Sequence, residues 1–252
     1  MKGIVETIYD AQKGAYEILK VTETHEKFDI DQAYVYQNQL LDRMLAEGSE
    51  LIGYKMGLTS REKMAQMGIE SPIHGFLLKE MLIEGDTISY DNLIHPKAEP
   101  EIAVMMKADV TPDASKEELE KAIGWIAPAV EVIDSRFKDF KFTMADVIAD
   151  NCSSSKFAVG EWVEYPVAGV SIDGILAKLV INGEVKIEGP SSAVLGSQVD
   201  SLYELQLSLA KEGKQLKKGH LVLTGGITAA ERFYEGDTVA NETDLIGAVT
   251  FR

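Results

Sequence analysis

One cysteine, Cys152, stands among the 252 residues. That scarcity excludes an internal disulfide framework and any metal site built from several thiolates, and it fits a reducing compartment. Long hydrophobic runs are missing too. No stretch of about 18 apolar residues occurs, and Met1-Lys2-Gly3-Ile4-Val5-Glu6 has no apolar leader core, so a cytoplasmic protein that does not enter a membrane is expected. Positive charge is thin: 25 Lys and Arg face 41 Asp and Glu, for a formal net charge of -16. With no Lys/Arg-rich segment to meet a phosphate backbone, nucleic acid is not an expected partner. Internal repeats and low-complexity linkers are also absent.

What is present is an ordinary 45% apolar content, enough at this length for a large core. The chain reads as α+β. Residues 4–20 and 31–46 have helical spacing, the second with Asp29 or Asp31 to cap it and Gly48 to end it. A short strand, 51–60, carries Lys55 in its middle, and 60–68 reads as a capped helical turn. Beyond residue 70 strands dominate. Residues 71–78 and 87–90 read as strands, the second entered by the Glu84-Gly85-Asp86 turn; 98–106 and 126–134 flank a helix opened by a Ser115/Glu118 capping box and running to about Trp125. Residues 143–149 suggest a helix, 150–155 a polar loop, and 156–163 a strand. Asn182-Gly183 marks a hairpin, Asp200 caps a helix to Lys211, residues 221–228 form a strand entering a glycine turn, and 238–240 with 246–251 close the sheet. We therefore expect a mainly helical region over 1–70 and a strand-rich catalytic region over 71–252, in one compact unit.

Carboxylates interrupt two of the apolar strands. Glu99 and Glu101 are two residues apart, so both point to one face about 7 Å apart, and Pro100 between them fits an edge or a bulge. Glu131, set in Val130-Glu131-Val132, would complete a set of hard oxygen ligands. Such ligands suit Mg²⁺ or Mn²⁺ better than Zn²⁺, and octahedral geometry leaves about three positions for water and substrate. Lys55 is a candidate buried cation beside them. The ordinary alternatives are an acidic pair on a solvated face, a lysine whose stem packs while its amine reaches water, and a structural ion pair in Asp134-Ser135-Arg136. His25 reads as an exposed histidine of a polar connection, and His74 and His95 as structural.

Lys55-Met56-Gly57-Leu58-Thr59-Ser60, Lys63-Met64-Ala65-Gln66-Met67-Gly68, His95-Pro96-Lys97, Glu99-x-Glu101, Val130 to Arg136, Ala149-Asp150-Asn151 and Thr224 to Ala230 together resemble the hydratase/decarboxylase branch of the fumarylacetoacetate hydrolase-like superfamily, from about residue 29 to the C-terminus. The resemblance implies a mixed β-roll or sandwich behind an N-terminal helical region, and a metal held by Glu99, Glu101 and Glu131. It implies Lys55 as the catalytic pocket lysine and Leu58, Ile73, Ser153, Lys156, Thr224 and Gly225 along the substrate. Within the branch it implies Mg²⁺-dependent (Mn²⁺ being the alternative) decarboxylation of 2-oxo-3-hexenedioate, a small dicarboxylate 2-oxo acid, to 2-hydroxypenta-2,4-dienoate in the meta-cleavage degradation of aromatics. It also implies a homo-oligomer and a complex with 2-hydroxypenta-2,4-dienoate hydratase. That hydratase activity, a non-catalytic partner of the hydratase and an acylpyruvate hydrolase are the alternatives. Hydratases of the branch have Pro-Asp-x-Gly where this chain has Pro72-Ile73-His74-Gly75, so Ile73 favours decarboxylation. Two departures are His74, where an aromatic is common, and Glu231-Arg232-Phe233-Tyr234, where a short apolar segment is usual.

Overall fold

The computed structural model describes residues 3–61, 64, 65 and 71–252. Helix α1, Ile4–Gly14, stops short of the expected Lys20 because Ala15 turns left-handed at φ 49. Helix α2, Ile30–Ala46, starts on a capping box: Asp29 accepts from the Gln32 N–H and the Gln32 side chain accepts in return. Strands β1, Leu51–Gly57, and β2, Ile73–Leu78, follow. The helical turn expected over 60–68 lies largely outside the described residues.

Strand β3, Lys97–Met106, leads to α3, Lys116–Ala122, which ends three residues before Trp125 because β4 already begins at Ile123 and runs to Ile133. Helix α4 is Met144–Ala149, β5 Ser154–Val159 and β6 Val163–Glu164. The Asn182-Gly183 turn, with φ 54 and φ 77, joins β7, Leu176–Ile181, to β8, Glu184–Pro190, as expected of that dipeptide. Helix α5, Gln198–Lys211, is capped by Ser197 through the Val199 N–H, and not by Asp200, which instead pairs with Lys116 at 2.7 Å. The remaining strands are β9, Leu221–Leu223; β10, Glu231–Arg232; β11, Val239–Thr243; and β12, Ala248–Phe251. The strand expected over 87–90 does not form. There the Ser89 hydroxyl bonds Asp91 and accepts its N–H, local bonds that compete with a sheet ladder.

Eight strands make the main sheet, in the order β2-β1-β9-β3-β4-β5 with β10 on β3 and β6 on β4; the second sheet is β12-β11-β7-β8. The strand parity sorts the two faces of β3 and β4. Ala103, Ala127 and Ala129 share a core with Ile8 of α1, Leu40 of α2 and Ile148 of α4. The alternate residues face the other way. Ile102, Val104 and Ile126 meet α3 and α5, while Ala98, Val130 and Val132 meet Leu179, Val239 and Phe251 of the second sheet. Glu99, Glu101 and Glu131 have the parity of the alanines, so they lie on the face covered by the N-terminal helices.

Strand β1 enters this sheet parallel to β9, with Lys55 opposite Leu223, and Leu223 in turn opposite Ala103. The close approach requires Gly53, where a Cβ would fall 1.7 Å from the Leu221 carbonyl oxygen. Strand β2 is tied to α5 by buried His74. Its Nε2 lies 3.0 Å from Glu212, its Nδ1 3.0 Å from the Ser208 hydroxyl, and its ring stacks on Tyr34. Burial opposes the Glu212 charge, but the hydrogen bond and charge of His74, with bonds from Asn38 and Lys214, hold its pKa down at about 2. A depressed carboxylate adds stability above its unfolded pKa and loses it as pH falls through the folded value. Glu212→Gln is therefore expected to cost up to about 3 kcal/mol at pH 7, with the difference from the parent shrinking between pH 4.5 and about 2. Urea unfolding midpoints across that range measure it, and a pH-independent difference contradicts the assignment.

Candidate metal and active site

The register of β3 on β4 places Glu99 directly opposite Glu131 and Glu101 opposite Ala129. Glu101 is thus a diagonal neighbour of Glu131 on the same face, which brings a carboxylate oxygen from each of the three residues within 4.8 Å of the others. Glu101 and Glu131 are fully buried, and Glu99 forms the half-buried outer edge. Pro100 suits its place without a bulge. Its carbonyl accepts from Ile227, so its missing N–H falls on the side where β9 has ended at Leu223, opposite Ala103, and β10 pairs only with 97 and 98.

Each buried carboxylate is held. Glu131 accepts from the Ser154 hydroxyl at 2.9 Å and pairs with the Lys55 ammonium at 2.9 Å. Glu101 accepts the Gly225 N–H at 2.8 Å through one oxygen, while its other oxygen is buried without a hydrogen-bond partner. Lys55 also donates to the Cys152 carbonyl at 3.3 Å. Burial, then the charges of Glu131 and Glu99, push the Glu101 carboxyl well above its ordinary range, against Lys55 and the Gly225 N–H. Burial works against the Lys55 ammonium, but Glu131 and the other acidic groups outweigh it and keep its pKa above the ordinary lysine value. Three carboxylates against one ammonium leave an excess of two negative charges. The orphaned Glu101 oxygen, the hard donor set and that excess fit a divalent cation such as Mg²⁺ or Mn²⁺.

The walls come from neighbouring turns. Gly225, at φ 119, approaches Thr59 so closely that a Cβ would sit 2.4 Å from its hydroxyl oxygen, and a Cβ on Gly226 would press to 3.0 Å on the Glu99 carboxyl carbon. A Cβ on Gly57 would meet Ile73 at 3.3 Å and the Lys55 nitrogen at 3.6 Å, so both side chains flank this glycine. Leu58 follows directly, in a left-handed conformation at φ 56. The Ser153 hydroxyl is buried with no partner, between Cys152, whose carbonyl meets Lys55, and Ser154, whose hydroxyl meets Glu131.

Two expected substrate residues are placed differently. Lys156 stands opposite Val132, so the pleat turns it to the face away from Glu131; it donates to the Glu80 carbonyl at 2.8 Å and lines a cavity of about 130 Å³ with Lys13, Arg136 and Ser154. The Thr224 hydroxyl is spent on the Ile102 carbonyl at 2.7 Å and on Gln198, leaving its part in the site to the turn that presents Gly225. Asp134-Ser135-Arg136 is structural: Asp134 accepts the Ile94 and His95 N–H groups, and Arg136 pairs with buried Asp150 at 2.5 Å. Sequence reasoning missed Ser154 as the residue that orients Glu131. Its signal was the hydroxyl-rich run 153–155 preceding a strand that pairs with β4.

A three-carboxylate cluster with a buried lysine on a curled mixed sheet defines a metal-dependent class. A family model for the fumarylacetoacetate (FAA) hydrolase C-terminal region matches residues 55–252, and the chain belongs to that family. Among its relatives is 4-oxalocrotonate decarboxylase of Pseudomonas putida, 38% identical over 99% of this chain and 95% of that one. The 2-hydroxyhexa-2,4-dienoate hydratase of Comamonas testosteroni is 31% identical over 94% of this chain and 92% of that one. A solved structure of 4-oxalocrotonate decarboxylase from Pseudomonas putida G7, complexed with magnesium and adipate, superimposes with a TM-score of 0.94 at 37% identity, covering 98% of this chain and 95% of that chain.

Removal of one partner from a buried ion pair leaves an uncompensated charge. Lys55→Met is expected to lower the unfolding free energy by about 3–5 kcal/mol in EDTA, with part of the loss recovered by a divalent cation that returns positive charge to the same carboxylates. Urea denaturation with and without Mg²⁺ measures both, and an unchanged midpoint would remove Lys55 from the cluster.

Proposed function

We propose that this chain is a Mg²⁺-dependent carboxy-lyase that converts 2-oxo-3-hexenedioate to 2-hydroxypenta-2,4-dienoate and CO₂. The observation that carries the reading is the convergence of Glu99, Glu101, Glu131 and Lys55 in a chain similar over its whole length to a decarboxylase whose structure holds magnesium and adipate, itself a six-carbon dicarboxylate. Glu99, Glu101 and Glu131 would hold the metal, which when bound supplies a Lewis acid for the 2-oxo acid end of the substrate.

The reaction breaks the bond between C5 and C6. Its electron pair becomes the C4=C5 double bond, the C3=C4 pair moves to C2=C3, and the carbonyl pair goes to the 2-oxo oxygen, which ends protonated. Nothing is oxidised. Lys55, held charged by its acidic neighbours, balances the negative charge that gathers at that oxygen. Ser154 and the Gly225 N–H fix the carboxylate orientations that would otherwise have to form during turnover. Ile73, which flanks Gly57 together with the Lys55 nitrogen, would offer the departing carboxylate an apolar wall. The buried Ser153 hydroxyl is the available donor for a substrate oxygen.

The same reading includes a cytoplasmic setting, self-association, and a complex with 2-hydroxypenta-2,4-dienoate hydratase, which consumes the product. No helix among the described residues is long and apolar enough to cross a membrane.

Incubation of the purified protein with Mg²⁺ and 2-oxo-3-hexenedioate is expected to release CO₂, while incubation with 2-hydroxypenta-2,4-dienoate is expected to give no 4-hydroxy-2-oxopentanoate; the reverse pattern assigns a hydratase. Glu99→Gln should abolish CO₂ release and leave the circular dichroism spectrum unchanged, since its side chain sits at the edge of the cluster and not in the core. Metal-dependent turnover surviving in that variant would sink the ligand assignment. Ile73→Asp should slow decarboxylation by at least about tenfold, roughly 1.4 kcal/mol in the barrier, by solvating the leaving carboxylate and repelling it; a rate equal to the parent's argues against the apolar-wall role.

A further inference from the structure

Among the described residues, three buried side-chain amides each donate to two backbone carbonyls. Gln37 reaches His74 and Ile148, Gln206 reaches Pro112 and Ala114, and Asn241 reaches Glu101 at 3.0 Å and Ala129 at 2.8 Å. Asn241 stands apart by its target. Glu101 and Ala129 are the registered pair next to the Glu99–Glu131 pair, so one amide nitrogen bridges the two strands at the row of a carboxylate and two residues before another.

We propose that Asn241 is a positioning residue for the metal-binding carboxylates, locking β3 against β4 at the spacing the cluster needs; this rests on the reading of Glu99, Glu101 and Glu131 as ligands. Its own backbone is anchored on both sides, opposite Leu179 of β7 and Val249 of β12, so the second sheet acts as a rigid support from the face opposite the carboxylates. Glu101 and Glu131 are diagonal neighbours, and their separation changes more steeply than that of a directly opposed pair with a small slide of one strand along the other. The amide is not there for general stability. Its Oδ1 is fully buried with no partner, a desolvation cost that an apolar residue of the same shape would avoid. Gln206 provides a matched comparison: it too is buried, clamps two carbonyls and leaves its side-chain oxygen unpaired, but it joins α5 to the loop before α3, away from the cluster.

The test is Mn²⁺ binding, followed by the electron paramagnetic resonance of the free ion, in the parent, Asn241→Leu, Asn241→Thr and Gln206→Leu, with a melting curve for each. Outer residues that orient metal ligands typically carry tenfold or more in affinity. Asn241→Leu is expected to weaken Mn²⁺ binding by at least about tenfold, Asn241→Thr, with one hydroxyl donor, by less, and Gln206→Leu not at all even where its melting temperature drops as far. Equal affinity in Asn241→Leu and the parent overturns the proposal, as do equal losses in Asn241→Leu and Gln206→Leu. Should Asn241→Leu fail to fold, Asn241→Thr decides alone, with parent-like affinity overturning it. A parent that binds no Mn²⁺ overturns both this inference and the metal reading, whereas a parent that binds while Asn241 variants bind alike overturns this inference only.

Discussion

Mutual repulsion among three carboxylates at the end of the β3–β4 ladder is the constraint around which this structure is built. Oxygens within 4.8 Å of one another, at an effective dielectric near 20, repel by roughly 3–4 kcal/mol for each pair if all are ionised. Summed over the cluster, that approaches the whole stability of an ordinary domain, about 5–15 kcal/mol. Positive charge must therefore be supplied, or a proton retained. Lys55 sits on Glu131, and burial with the charges of Glu131 and Glu99 pushes the Glu101 carboxyl well above its ordinary range. A divalent cation would supply the rest of the positive charge the cluster calls for.

The turn that carries Ser154 and the Cys152 carbonyl is itself costly. Asn151, Cys152 and Ser153 are all left-handed, at φ 49, 53 and 57, and such residues cost on the order of 1–2 kcal/mol each. Surrounding bonds hold them there. Asn151 accepts the Phe76 N–H at 2.8 Å and donates to the Phe76 carbonyl at 3.0 Å, acting as a strand partner along β2, a fit that leaves Gly75 no room for a Cβ. Arg136 donates to the carbonyls of Asp150 and Ser154, and the Asp134 N–H donates to that of Ser153. The three consecutive left-handed residues form the segment that aims one carbonyl at Lys55 and leads into the hydroxyl that meets Glu131. The buried Arg136–Asp150 pair thus serves the site at one remove.

Legibility in the sequence followed the range of the interaction. The Asp29 and Ser115 caps, the Asn182-Gly183 hairpin and the carboxylates breaking apolar strands are local signals, and each lies where the pattern put it. Boundaries failed where a nonlocal element took over: α3 yields to β4 at Ile123 because that strand pairs along Met106, and 87–90 stays irregular because its hydroxyl and carboxylate bond each other. Lys156 was misplaced for a related reason. One bulge in the β4–β5 ladder, between Val132 and Ile133, fixes which of Ser154, Ser155 and Lys156 turns towards Glu131, and nothing local announces it. Asn241, about 110 residues from Ala129 in sequence, carries no signal at all until the two sheets are packed.

The metal-binding scaffold does not by itself choose a reaction, since relatives that share the fold include a hydratase at 31% identity and a decarboxylase at 38%. The choice turns on what surrounds the far end of a dianionic substrate. Three carboxylates, Lys55 and a divalent cation together would be neutral, so the two negative charges of a dicarboxylate 2-oxo acid would be net additions to the site. Were an acid group there, protons would be at hand for adding water across the diene. On the proposed reading Ile73 would instead leave that carboxylate poorly solvated beside an apolar side chain, a state relieved by departure as neutral CO₂. On that reading the same position would lack the carboxylate that hydration uses, so a single residue on β2 would both favour bond cleavage and disfavour the competing path.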